Sequence, residues 1–113
     1  MHELTIAQGI LDIALKTAAE HAAVRIGQIT VAVGMMNGVV PESLIMGFTT
    51  LAEGTAAADA ELIIHRIPVS GRCRECGQSF PIENRQFYCP DCGSAGVEIV
   101  SGRELRVEHM EVE

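Results

Sequence analysis

The sequence predicts an α+β fold in which two helices lie on a small mixed three-stranded sheet, with an inserted four-cysteine module. Apolar residues recur at helical spacing in two segments, and the patterns of three further segments predict strands. All four cysteines lie between the second and third predicted strands, in two closely spaced pairs. With 113 residues, the chain has the length of one compact domain, or of one domain with a small module added.

The first helix is predicted over residues 4–23, which contain no proline. Its apolar residues recur at steps of three and four and predict one broad buried face: Leu4, Ala7, Leu11, Ala14, Leu15, Ala18 and Ala22, widened by Ile6, Ile10 and Ile13. Glu3 lies at the positive end of the helix dipole, where a carboxylate is favourable. Because glycine costs a helix up to about 1 kcal/mol relative to alanine, close packing is expected at Gly9.

The remaining elements follow from changes of period and from helix breakers. Residues 25–33 alternate apolar and polar side chains, which predicts a strand half covered by the first helix. Pro41 suits the first turn of a second helix, and Gly54 is its natural end. Residues 61–69 and 104–112 predict the second and third strands. The apolar face of the second helix comprises Leu44, Ile45, Phe48 and Leu51.

Composition limits the class of protein. The hydrophobic fraction is 48%, but aromatic residues make up only 4% and tryptophan is absent, so the core must be mostly aliphatic. The net charge of −7 argues against a phosphate-binding surface, which needs clustered lysine and arginine, and therefore against a nucleic-acid partner. No apolar run approaches the roughly 18 residues of a membrane span and no signal peptide is present, so a cytoplasmic protein without membrane contact is expected.

The cysteines form two Cys-x2-Cys pairs, Cys73 with Cys76 and Cys89 with Cys92, and a glycine follows each pair. Two such turns facing each other can enclose Zn²⁺ in a cage of four thiolates. Disulfides are an alternative, but the pairs have metal-ligand spacing. Iron is another, because four thiolates do not by themselves select the metal. Four cysteines fill the coordination shell, which indicates a structural metal rather than a reactive one.

The cysteine pairs lie in a segment that leaves the second strand near Pro68 and returns to the third near Gly102. Residues 68–101 are therefore predicted to be an inserted zinc-binding module, and residues 1–67 with 102–113 to form an α/β domain. Phe80, Phe87 and Tyr88 are expected to pack around the metal cage. A zinc ribbon that binds nucleic acid or assists transcription is the alternative function, but the module contains no lysine.

The amino terminus is a second candidate site. Aminopeptidases should leave Met1 in place before His2, so an α-amine, the His2 amide nitrogen and its imidazole can close chelate rings on one metal. Three nitrogens in a plane suit Ni²⁺ or Cu²⁺, and Glu3 can complete the site. Such a site would be open and sensitive to pH, as a carrier requires. The alternative is an ordinary solvated terminal histidine; the other histidines have no partner spacing.

Taken together, the chain resembles the HypA/HybF family of hydrogenase nickel-incorporation proteins. The order of the predicted elements matches, as do several short motifs along nearly the whole chain. These are Met1-His2-Glu3-Leu4, Val33-Gly34, Gly38-Val39-x-Pro41-Glu42-x-Leu44, Cys73-x2-Cys76-Gly77 with Phe80, Cys89-Pro90-x-Cys92-Gly93-Ser94 and Gly102-x-Glu104-Leu105. The sequence departs from the family at Met35-Met36-Asn37, where packing or partner contacts are expected rather than metal ligation.

The resemblance implies a nickel metallochaperone and not an enzyme, with no catalytic residue. It assigns Ni²⁺ to His2, with Glu3 as its neighbour, in the α/β domain. It assigns a structural Zn²⁺ to the four cysteines: Cys73, Cys76, Cys89 and Cys92. The implied partners are a GTP-hydrolysing nickel-insertion protein and the large subunit of [NiFe]-hydrogenase, with urease as a further client of some members. The oligomeric state, a homodimer included, stays open.

Overall fold

The computed structural model describes residues 2–113, which fold into two helices and six strands. In chain order these are α1 (His2–Glu20), β1 (Ile26–Gly34), a short 3-10 turn (Met35–Asn37), α2 (Pro41–Ala52), β2 (Glu61–Ile67), β3 (Ser70–Cys73), β4 (Ser79–Pro81), β5 (Val97–Ser101) and β6 (Leu105–Val112). They divide between two compact units. The helical unit comprises Met1–Ala32, Gly38–His65 and Leu105–Glu113, and the cysteine unit comprises Val33–Asn37 and Arg66–Glu104.

The helical unit confirms the predicted α+β fold of two helices on a mixed three-stranded sheet in the order β2-β1-β6. Strand β6 runs antiparallel to β1, since Arg25 exchanges backbone hydrogen bonds with Glu113 at one end, and Gly34 donates to Glu104 at the other. Its core is aliphatic except for Phe48, as the composition predicted. Helix α2 begins at Pro41, whose missing N–H costs nothing in the first turn.

Strand β1 is more deeply buried than the sequence predicted. Ile29 and Val31 are fully buried, but so are Ala32 and, almost completely, Thr30 on the opposite parity. The reason is its central position in the sheet. The His65 imidazole of β2 and a Glu108 carboxylate oxygen of β6 lie 3.1 Å apart, and this pair crosses over β1 because the two strands flank it.

Helix α1 is less simple than its predicted apolar face. Ala7, Ile10, Leu11, Ala14 and Ala18 are buried as expected, but Leu4 is 48% exposed and Ile13 is 52% exposed. Glu3, by contrast, is only 6% exposed. The prediction of close packing at Gly9 is wrong, because a Cβ atom added there would have no heavy atom within 4 Å. The helix thus buries one polar residue and leaves apolar surface open.

The cysteine unit contains a second three-stranded sheet, in the order β4-β3-β5, with both pairings antiparallel. Sequence patterns did not indicate these strands, because each has at most five residues. Its core consists of Cys73, Phe80, Ile82 and Cys89, with Val69, Val97 and Ile99 packed against them. Phe80 meets the expectation of packing at the cage, but Phe87 and Tyr88 are 41% and 50% exposed. Such a small core needs further stabilisation.

Segment Val33–Asn37 joins the cysteine unit through backbone contacts. Gly34 N–H donates to the Glu104 carbonyl at 2.7 Å, and Met36 N–H donates to the Gly102 carbonyl at 2.8 Å. The Asn37 side chain also donates to the Glu104 carbonyl, at 2.9 Å. The chain approaches itself so closely that a Cβ atom on Gly34 would lie 2.1 Å from the Gly102 carbonyl carbon. None of the helices in residues 2–113 is long and apolar enough to cross a membrane.

Candidate metal centres

Each Cys-x2-Cys pair forms a tight turn closed by its following glycine. Gly77 N–H donates to the Cys73 carbonyl at 2.9 Å, and Gly93 N–H donates to the Cys89 carbonyl at 2.8 Å. Both glycines have positive φ, +79° and +73°, a conformation that side chains with a Cβ rarely adopt. The Cys76 N–H also points at the Cys73 sulfur, 3.5 Å away. These turns aim backbone donors at the sulfur atoms, which steadies thiolate charge.

The two turns bring all four sulfur atoms together. Cys73 Sγ lies 3.5 Å from Cys92 Sγ, and Cys76 Sγ lies 3.6 Å from Cys89 Sγ. All four ligand atoms lie within 4.8 Å of one another, and the cysteines are free. Zinc–sulfur bonds of about 2.3 Å in a tetrahedron separate the sulfurs by about 3.8 Å, whereas a disulfide requires about 2.05 Å. The spacing therefore fits a four-coordinate metal ion.

Thiol ionisation explains why this cluster needs a cation. The Cys76 N–H, in particular, lowers the pKa of Cys73 to about 7. The Ser94 N–H lowers the pKa of Cys92, but hydrogen bonding with Cys73 and the other cysteines, together with burial, raises it to about 12 overall. The pKa of Cys76 is likewise raised on balance. One thiolate forms readily and the later ones are opposed, and a bound cation would favour the ionised form of all four.

Half of this centre is shielded from solvent. Cys73 and Cys89 are each 1% exposed and belong to the core of the unit, whereas Cys76 and Cys92 are exposed. Each close sulfur pair joins one buried and one exposed cysteine. A metal here would link the core to both turns. It would thus stabilise a unit whose own core is small.

The second predicted site lies at the start of α1. Met1 lies outside the described residues, but His2 is the first residue of the helix and its side chain is 53% exposed. His2 Nε2 lies 3.7 Å from Glu3 Oε2. Amides of the first helical turn have no partner within the helix. The His2 amide thus has no acceptor within the helix, and the chelate that would use it stays a prediction.

Glu3 differs from His2 because it is fixed in place. Its Oε2 accepts a hydrogen bond of 3.3 Å from the Val40 N–H, just before α2. Its pKa is lowered, first by its own backbone N–H, then by that of Val40, and also by His2. The carboxylate is thus held anionic beside the imidazole. Its contact with Val40 lies 37 residues along the chain, which no local pattern could reveal.

The other histidines have structural surroundings of their own. His65 pairs with Glu108, as described above, and the His21 Nδ1 atom lies 2.9 Å from the Thr17 carbonyl oxygen. His21 and His109 line one groove between α1 and β6, which the sequence did not indicate. Over residues 2–113, the four cysteines form the one group of three or more His, Cys, Asp or Glu side chains arranged to hold a metal.

The fold and these sites define a small α+β protein that combines a four-cysteine metal centre with a histidine–glutamate pair at a helix start. The family model described as "Hydrogenase/urease nickel incorporation, metallochaperone, hypA" matches residues 1–112. The chain therefore belongs to the HypA family, as its motifs predicted.

Individual relatives agree with this assignment. Over 112 residues, the chain is 38% identical to the hydrogenase maturation factor HypA of Geotalea daltonii, covering 99% of each chain. It is 40% identical to that of Geobacter sulfurreducens, covering both chains completely. Among solved structures, the Ni metallochaperone HypA from Helicobacter pylori matches with a TM-score of 0.72 at 24% identity, over 97% of this chain and 96% of the other. At that identity the likeness supports the fold.

Proposed function

We propose that this protein binds Ni²⁺ at its amino terminus and delivers it, with a GTP-hydrolysing partner, to the large subunit of [NiFe]-hydrogenase. Membership in a nickel-incorporation family supports the general role of metallochaperone in hydrogenase maturation. The observation that carries the site assignment is the exposed His2 imidazole beside an anionic Glu3 at the start of α1. Nitrogen ligands of this kind suit Ni²⁺.

The environment of this site favours reversible binding. The amino-terminal end of a helix carries partial positive charge, which opposes a cation, and the Glu3 carboxylate offsets that charge. In this conformation the Glu3 Oε2 atom accepts from Val40, so we assign Glu3 the role of a charged neighbour of the nickel site. Few ligands, solvent exposure and competition with protons make release possible.

The four cysteines hold structural Zn²⁺ in this proposal. Cys73, Cys76, Cys89 and Cys92 fill a tetrahedral shell and leave no position for a transported ion. Their metal is therefore a permanent component, and nickel is the cargo. Four thiolates around one Zn²⁺ carry a net charge of about −2, which brings the protein from a formal −7 to about −9.

Calorimetric titration with Ni²⁺ tests the nickel site. His2→Ala should abolish the binding step that the unaltered protein shows. His21→Ala is the matched control, because His21 is also an exposed histidine at the end of α1. It should leave stoichiometry and affinity unchanged. Equal nickel binding by the His2→Ala protein would refute the assignment.

Transfer of nickel tests the partner. Nickel-loaded protein is mixed with metal-free hydrogenase large subunit, with or without the GTPase and GTP, and the nickel content of the separated large subunit is measured. We expect faster transfer when the GTPase and GTP are both present. Transfer at the same rate without them would contradict the role of the partner.

A further inference from the structure

The helical unit has an open groove between α1 and α2 that neither metal centre uses. One section of about 240 Å³ is lined by residues that include Glu3, Leu4, Met46 and Gly47. The next section, of about 540 Å³, shares Leu4 and continues along α1 past Gly9 and Asp12. The two sections adjoin at Leu4 and are together called the helix groove below.

Two glycines keep the helix groove open. Gly9 has no atoms within 4 Å of an added Cβ, although glycine weakens a helix and nothing packs against it. At Gly47 an added Cβ would lie 3.0 Å from Leu4 Cδ2, so a side chain there would crowd the groove wall. Gly9 has no packing role within the chain, and its missing side chain leaves space in the far section of the helix groove.

Apolar side chains of the helix groove reach the surface among polar ones, which include Thr5, Ser43 and Thr50. Leu4 is 48% exposed and Met46 is 71% exposed, and Leu51 lines the far section. Methionine adapts its shape to a bound partner at little cost. A groove between two helices that combines exposed apolar side chains, two glycines and a flexible methionine has a form that can accept one face of an amphipathic helix.

Charge identifies the kind of helix. Within the described residues, neither section is lined by Lys or Arg, whereas Glu3 and Asp12 lie in the near and far sections. Ten of the fifteen acidic residues of the chain, but three of its eight basic residues, belong to the helical unit. With the cysteines counted as neutral, that unit therefore carries the whole formal net charge of −7. A second copy would bring like charge to the groove, so a basic partner is favoured.

We propose that the helix groove binds a basic amphipathic helix of a partner protein, with its apolar face against Leu4, Met46 and Leu51. The inference goes beyond nickel binding, since it requires no metal and no ligand from His2. Lysine or arginine flanking the apolar face would meet the exposed carboxylate of Asp12, in the negative field of the helical unit. Charge steers such encounters and weakens with salt.

Two synthetic helical peptides test the proposal on the full-length protein. Both carry leucine at positions i, i+3, i+4 and i+7; one has lysine at its polar positions and the other has glutamate. Fluorescence anisotropy should show the lysine peptide binding at least about tenfold more tightly at low salt, and losing affinity as salt is added. Amide chemical shifts should move at the helix groove, not at the groove between α1 and β6.

Variants separate this site from general acidity. Gly9→Leu should weaken the lysine peptide at least about tenfold by filling the groove, while Ala19→Leu, an exposed site on the same helix outside it, should have no effect. Asp12→Lys should weaken the lysine peptide and strengthen the glutamate peptide. Absence of binding, equal binding of both peptides, equal effects of the two leucine variants, or self-association through this face would each overturn the proposal.

Discussion

Gly34→Ala should be one of the most damaging small substitutions in this protein. An alanine Cβ would lie 2.1 Å from both the Gly102 carbonyl carbon and oxygen and 2.5 Å from Arg103 N. Ordinary contacts between carbon atoms are about 3.5–4.0 Å. All three obstructing atoms belong to the backbone, so the two segments must separate by more than 1 Å, on the order of the shortfall in contact distance.

The cost follows from what that separation breaks. Two backbone hydrogen bonds, from Gly34 to Glu104 and from Met36 to Gly102, contribute about 1 kcal/mol each. Overpacking adds about 1–3 kcal/mol. The free energy of unfolding should therefore fall by about 3–5 kcal/mol, a large share of the roughly 5–15 kcal/mol typical of a domain. Urea unfolding of the metal-loaded protein measures this.

Gly9→Ala is the matched control, because the same change occurs where a Cβ meets open space. It should raise the free energy of unfolding by up to about 1 kcal/mol through helix propensity. Opposite signs at the two glycines are the expected result. If Gly34→Ala unfolds within about 0.5 kcal/mol of the original protein, the close approach to Gly102 does not exist in solution.

Three further predictions concern the metal centres. Cys76→Ser should lose zinc and unfold the cysteine unit; one tightly held zinc in native mass spectrometry would contradict the four-cysteine assignment. With the pKa of Cys73 near 7 and those of Cys76 and Cys92 raised, zinc binding at pH 7 should release at least about two protons, measurable by calorimetry in buffers of different ionisation enthalpy. Zinc retention should accordingly weaken as pH falls, and a proton release near zero would refute this. Glu3→Gln should destabilise at neutral pH, because the lowered pKa of Glu3 contributes stability that is present above its ordinary value and lost as pH falls through the folded value. The gap between variant and original protein should close in acid, and a gap independent of pH would exclude this explanation.

The sequence predicted those features that depend on local chemistry. Pro41 has one favourable place in a helix, its first turn, and the two Cys-x2-Cys pairs with their glycines bring the sulfurs together as the spacing indicated. The strands of the helical unit could be predicted because each segment is long enough to show an alternating pattern in the sequence. These features required no knowledge of distant residues.

The features that were missed depend on residues far apart in the chain. Strands β3, β4 and β5 are too short to show a period, and they are stabilised by one another and by the cluster around Cys73 and Phe80. The burial of Thr30 and Ala32 reflects the central position of β1 between two strands that are distant in sequence. Leu4 and Phe87 are exposed because no other element of the fold packs over them. The apolar character of a side chain does not by itself predict whether it is covered.

Glu3 shows why the site, more than the fold, exceeded what the sequence could reveal. By its position it is a dipole-matched first-turn carboxylate and a neighbour of a candidate nickel ligand. In the structure it also fastens α1 to the segment before α2 through Val40, and it lines the helix groove. The Glu3 carboxylate therefore lies both beside the proposed nickel ligand and in the lining of the helix groove. If nickel draws Glu3 from Val40, the charge that lines the helix groove changes, so we expect nickel binding and partner binding to influence each other at this residue.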